Sequence, residues 1–120
     1  MKSILSFIYT QLNSFGYKVF DKRPPANTAY PFIEYGVNEP FRNVHPIFYT
    51  LTIDVWDRDQ SSFRVETLAS DIDDLLENMA YSDSDIQVKV KRQTRLKLDD
   101  SDIEIKRRQL IYQLRVFFKE

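Results

Sequence analysis

The chain has no cysteine and only two glycines, Gly16 and Gly36, in 120 residues. Without cysteine there are no disulfides, no thiolate nucleophile and no cysteine zinc site, a composition that fits a reducing compartment. Two isolated glycines leave no glycine-rich loop to cradle a phosphate. The single histidine, His45, stands between Pro40 and Pro46 and reads as a surface loop residue. A transition-metal site would therefore fall on carboxylates alone. Nor is there a run of about 18 apolar residues, so no membrane partner is expected. The opening stretch MKSILSFIYTQLNSFG is apolar but interrupted by Ser, Thr, Gln and Asn, with no small-residue cleavage site. It reads as a helix and not as a signal peptide.

Chemistry is as sparse as glycine. The serines have no neighbouring base. Asp71, Asp73 and Asp74 would point in different directions on a helix and lack the glycine of a calcium loop. Asp99, Asp100 and Asp102 read as a solvated turn. No catalytic residue, no metal site and no cofactor are expected, and the chain is not expected to be an enzyme.

What is present is a core. Apolar residues make up 42% of the chain and aromatics 14%, enough for one domain over 1–120. Ile4, Leu5, Ile8, Leu12 and Phe15 recur at helical spacing, with Ser3 as a start signal and Gly16 as a stop. Short strands follow at Tyr17–Phe20 and Phe32–Val37, separated by a loop holding Pro24, Pro25 and Pro31. A longer strand runs from Ile47 to Trp56. Its Tyr49, Leu51, Ile53 and Val55 alternate with Thr50, Thr52, Asp54 and Trp56, the pattern of a sheet covered on one side. Val65, Leu68, Ala69, Ile72, Leu75, Leu76 and Met79 then form a helical stripe, with Asp59 or Ser61 as a cap. The expected fold is α+β: an antiparallel-rich sheet with two helices on one face, in the order α-β-β-β-α-β-β, ending in a long C-terminal hairpin.

The hairpin poses the sharpest question. In RLKLDDSDIEIKR, Leu96 and Leu98 alternate with charges before an acidic turn, and Ile103 and Ile105 alternate after it. Apolar residues of the first strand, 86–98, lie on even numbers. Those of the second begin on odd numbers and change to even from Leu110 onward. A four-residue turn pairs Leu98 with Ile103, Leu96 with Ile105 and Lys97 with Glu104, and an extra residue in the second strand reconciles this with the core. A β-bulge is predicted between Lys106 and Gln109, setting Val90 opposite Tyr112, Val88 opposite Leu114 and Ile86 opposite Val116. Thirteen strand residues span roughly 43 Å. A compact domain of this length is about 35 Å across. The tip is expected to overhang, leaving Leu96, Leu98, Ile103 and Ile105 as a contact surface for another molecule; the alternative is that the bulge folds it back onto its own sheet or the first helix.

Charge is blocked despite a net charge of −1. Glu66, Asp71, Asp73, Asp74, Glu77, Asp83 and Asp85 succeed one another without a base. Lys89, Lys91, Arg92, Arg95 and Lys97 follow without an acid. Such a basic strand suits backbone phosphates, so a small nucleic-acid-binding module using 89–97 is the alternative function. No recognition-helix or aromatic RNA-binding signature accompanies it.

Three stretches, SFGYKVFDKRPP after the leading helix, AYPFIEYG, and YTLTIDVWDRDQSSFRVETLASDIDDLL, together with the closing hairpin, resemble the tail completion or tail terminator proteins of long-tailed bacteriophages and prophages. The resemblance covers nearly the whole chain, but its motifs are structural. It implies a sheet with packed helices that assembles as a ring, typically a hexamer, on the end of the tail tube. The implied partners are further copies of the chain, the tail tube protein and the head connector protein, with DNA passing through the ring without sequence-specific binding. The implied location is the virion tail, and the host cytoplasm during assembly. The isolated protein is expected to be a monomer or weak oligomer. In such a ring the aliphatic tip supplies affinity. Lys89, Lys91, Arg92, Arg95 and Lys97 meet the acidic helix of a neighbour, through residues such as Asp71 and Asp74.

Overall fold

The computed structural model describes residues 2–21, 24–38, 47–77, 79–98 and 100–119; the side chains of Lys2 and Ser3 are not described. His45, Asp99 and the Ser3 start signal therefore lie outside the described side chains.

Helix α1 (Lys2–Asn13) is followed by a turn in which Gly16 has a φ of +85°, the left-handed conformation that a glycine adopts without strain. Its stripe of Ile4, Ile8 and Leu12 is buried. The chain then enters a single six-stranded sheet. The strands are β1 (Lys18–Phe20), β2 (Phe32–Asn38), β3 (Ile47–Arg58), β4 (Ala80–Ser82), β5 (Ile86–Leu98) and β6 (Ile105–Phe118), in the order β1-β2-β3-β6-β5-β4. Only β1 and β2 run parallel; the other pairs are antiparallel. Helix α2 (Phe63–Leu76) separates β3 from β4.

The alternation in β3 sorts the two faces. Leu51, Ile53 and Val55 have no solvent exposure and lie opposite Tyr112, Leu110 and Arg108 of β6. Ile33 and Tyr35 of β2 and Val88 and Val90 of β5 continue this face, which both helices cover. Val65, Leu68, Ala69, Ile72 and Leu76 of α2 are buried against it. Each large aliphatic so buried contributes about 1.5–3 kcal/mol, far more than helix propensity, so the stripe decides where α2 docks.

Three local expectations differ from the structure. Ser62, not Asp59 or Ser61, is the N-cap of α2, and its side chain makes no capping bond; Ser61 Oγ instead accepts the Phe63 N–H at 3.1 Å. Strand β4 was not expected: three residues are too few for alternation to show, and it exists by pairing Ala80–Ser82 with Lys89–Gln87. The helical stripe also stops at Leu76. Met79 lies beyond the helix but still packs on the core.

The hairpin bulge is real but lies on the other strand. The register shifts between Arg92 and Thr94 of β5, with Gln93 as the extra residue, and β6 runs unbroken. Below the shift Ile86 pairs with Phe118, Val88 with Val116 and Val90 with Leu114. Above it Leu96 pairs with Gln109, Lys97 with Arg108 and Leu98 with Arg107. The predicted partners were each displaced because the connection is longer than four residues: β6 begins at Ile105, and Ile105 pairs with Arg58 of β3. The parity argument required one inserted residue, and either strand can supply it.

Candidate interaction surface

The Gln93 bulge determines what the hairpin end displays. Before it, even-numbered residues of β5 face the helices; after it, odd-numbered ones do. Arg95 and Lys97 thereby share the helix face with Leu110 and Arg108, while Leu96 and Leu98 turn to the open face of the sheet. Helices cover only the other face, so these aliphatics cannot reach the core. Leu96 is 40% exposed and Ile103, in the connecting loop, 82%; Leu98 and Ile105 are half-buried. The molecule is elongated, 51 × 25 × 23 Å. The ribbon is nevertheless not a free arm, since β3 flanks β6 as far as Ile105.

The basic residues of β5 divide into two groups. Arg92 donates to Asp73 of α2 at 2.6 Å and lies 3.7 Å from Glu77. Arg95 donates to Ser70 and to Glu66, each at 3.2 Å, and Arg108 of β6, only 4% exposed, donates its Nε to the same Glu66 carboxylate. Two guanidiniums on one carboxylate hold Glu66 below the usual glutamate range, the Arg108 hydrogen bond being the largest cause. The acidic helix and basic strand, expected to meet between subunits, are thus joined first within one chain. Lys89, Lys91 and Lys97 remain exposed with no ion pair among the described residues, as do Asp71 and Asp74 on the outer side of α2. Asp73 faces inward, where the Tyr112 hydroxyl donates to it at 2.7 Å.

Around Ser62, Glu66, Arg95, Leu96, Lys97 and Arg108 these groups line a cleft of about 640 Å³ between the start of α2 and the outer edge of β5. That edge is open, because β4 pairs only with Gln87–Lys89.

A second feature escaped the sequence reading. On the open face, Phe32 stacks on Trp56 with ring centroids 6.1 Å apart, and the Arg107 guanidinium lies 4.6 Å from the Trp56 ring. Trp56 Nε1 donates to Glu34 at 3.1 Å, while Arg107 and Gln109 both donate to Asp54, at 2.9 and 3.1 Å. Toward the tip, Arg58 bonds Asp102 at 2.8 Å and Glu104 at 3.3 Å and lies 5.9 Å from the Tyr30 ring. The alternation of β3 had placed Trp56 on the polar side, but its partners come from β2 and β6 and are not adjacent in sequence.

Among the described residues no three His, Asp or Glu side chains are grouped to hold a metal ion, and no helix is long and apolar enough to cross a membrane.

No family model matches the chain, and no curated protein matches it. Its fold is shared with a solved structure, a chain in the virion of a native gene transfer agent particle. The two superpose with a TM-score of 0.73 over 91% of this chain and 90% of that one, at 17% sequence identity.

Proposed function

We propose that this chain is a structural protein of a tailed, phage-like particle that caps the tail tube as an oligomeric ring and forms the head–tail joining surface. The observation that carries the reading is the shared fold across nine-tenths of both chains with a virion component. The elongated sheet supports it, because it ends in an exposed apolar tip, with Leu96 and Ile103 on a hairpin that its own helices leave uncovered. A subunit of this kind acts by presenting surfaces and needs no turnover. Its partners are further copies of itself, the tail tube protein and the head connector protein. Six copies close the ring, DNA passes through without sequence reading, and the isolated chain is monomeric or weakly associated.

The nucleic-acid-binding alternative has less support. Arg92 and Arg95, two of the five bases in the strand, are spent on α2 carboxylates, leaving Lys89, Lys91 and Lys97 for phosphate. The two readings part on one experiment. Purified protein is mixed with tail tubes built from the tube protein of the same genome and viewed by negative-stain electron microscopy. Rings seated on tube ends support the capping role. Bare tube ends, together with salt-sensitive binding to duplex DNA, overturn it.

A further inference from the structure

We infer that the cleft beside β5 receives the hairpin tip of a second copy of this chain. The inference deepens the ring reading by naming the contact, and rests on it only for the stoichiometry.

Three independent features of the cleft define its occupant. First, among the described residues the outer edge of β5 beyond Val90 pairs with no strand, yet a sheet edge is a place where another chain docks unless something protects it. Second, the cleft walls are cationic. Arg95, Lys97 and Arg108 gather around Glu66, and Lys97 has no ion pair among the described residues. An occupant must therefore bring negative charge. Third, Leu96 stands on the same edge strand but on the open face, at 40% exposure, so an occupant that wraps the edge must also bring an apolar group.

The chain itself offers a segment of that description. In the connection from β5 to β6, Asp100, Asp102 and Glu104 surround Ile103, whose 82% exposure is the greatest of any large apolar side chain among the described residues. Among the described residues Asp102 and Glu104 share Arg58, and Asp100 forms no ion pair. Asp102 is held below the usual aspartate range, chiefly by the Glu104 N–H, so the tip keeps its charge at neutral pH. Acid, isoleucine and acid of one copy meet the edge of β5 in the other, with lysine and arginine on its helix face and leucine on its open face. Ile103 against Leu96 supplies the apolar contact, and the carboxylates against Lys97 and Arg95 fix the orientation. Donor and acceptor groups adjoin at one end of the hairpin, where Lys97, Asp100 and Ile103 also line a neighbouring cleft, so a second copy seated there engages both. A phosphate polymer would satisfy the cations but leave Leu96 and Ile103 bare.

The absence of cysteine makes the test direct. Ile103→Cys and Leu96→Cys chains are prepared separately, mixed at high concentration and oxidised. The inference predicts a disulfide-linked dimer between the two variants. Adding Lys97→Glu to the Leu96→Cys chain should cut its yield about tenfold, and placing Asp100→Lys on the Ile103→Cys chain should then restore it. All four positions are exposed, so the fold tolerates these changes. Absence of the mixed dimer, or only Ile103–Ile103 and Leu96–Leu96 links, overturns the inference. So does a yield suppressed by DNA and indifferent to Lys97→Glu. Cross-linking in a protein that never caps tubes would keep this contact and remove the tail role; capped tubes whose subunits do not cross-link would do the reverse.

Discussion

Tyr112 of β6 donates its hydroxyl to Asp73 of α2 across 2.7 Å, in a site with no solvent exposure at the tyrosine. Arg92, the residue just before the bulge, donates to the other oxygen of the same carboxylate. One aspartate thus ties the helix to the strand carrying the core and to the point where β5 changes face. Buried carboxylates persist only when paired in this way.

Tyr112→Phe removes one of these donors without altering shape. Hydrogen bonds to charged groups contribute about 1.5–3 kcal/mol. The variant should fold normally and lose stability in that range, measured by urea denaturation. Burial first, and the Asp73 carboxylate second, hold the Tyr112 phenol well above its ordinary pKa of 10.0. The folded protein then keeps a proton that the unfolded chain releases, so stability is intact below pH 10 and falls as pH rises beyond it. In Tyr112→Phe that share of the alkaline decline should disappear.

Glu66 carries the opposite sign. Its pKa is lowered from 4.5, mainly by the Arg108 hydrogen bond. The stabilisation is therefore present above pH 4.5 and lost as pH falls through the folded value. Glu66→Gln should flatten the acid limb of the stability–pH curve. It should also lower the melting temperature at pH 7, because Arg108, 4% exposed, loses its ionic partner. An unchanged acid limb would remove Glu66 as the link between α2 and the hairpin.

Trp56 is the only tryptophan, so it reports on the open face without interference. Arg107→Ala removes the guanidinium 4.6 Å from its ring and the bond to Asp54. A loss of about 1–2 kcal/mol is expected, with a red-shifted Trp56 emission as water replaces the arginine. Emission identical to the parent protein would show that Arg107 does not cover the ring in solution.

Deleting Gln93 tests the bulge. Without it, Arg95 and Lys97 would turn to the open face, while Leu96 and Leu98 would turn toward Glu66 and Arg108. Loss of the Glu66–Arg95 contact, which is partly open to solvent, should cost about 1 kcal/mol. Ala substituted at the same position should cost less than about 0.5 kcal/mol, because Gln93 is exposed and contributes length, not contacts.

The elements with long periodic signals were legible in advance. Strand β5 was expected at 86–98, where it is found, and the Val65–Leu76 stripe fixed α2 and its buried side. The need for a bulge was also legible, since residue parity cannot change without an inserted residue. Its location was not, because that depends on the length of the connection, and Asp99 to Glu104 carries no alternation strong enough to set where β6 starts. For the interaction surface, Leu96 and Ile103 were named from sequence as exposed apolar groups. The internal use of Arg92 and Arg95 was not, because pairing with Asp73 and Glu66 is a matter of how α2 crosses the sheet. The Phe32–Trp56–Arg107 stack joins three strands and has no signature in any one of them.

The central claim is that the exposed end of the β5–β6 hairpin is where assembly happens. Its most direct test is electron microscopy of tail tubes assembled with a Leu96→Asp, Ile103→Asp chain beside the parent protein. Both side chains are open to solvent, so the variant should keep its stability within about 0.5 kcal/mol. The account predicts rings on tube ends with the parent and uncapped tubes with the folded variant. Normal rings built from the variant would contradict it.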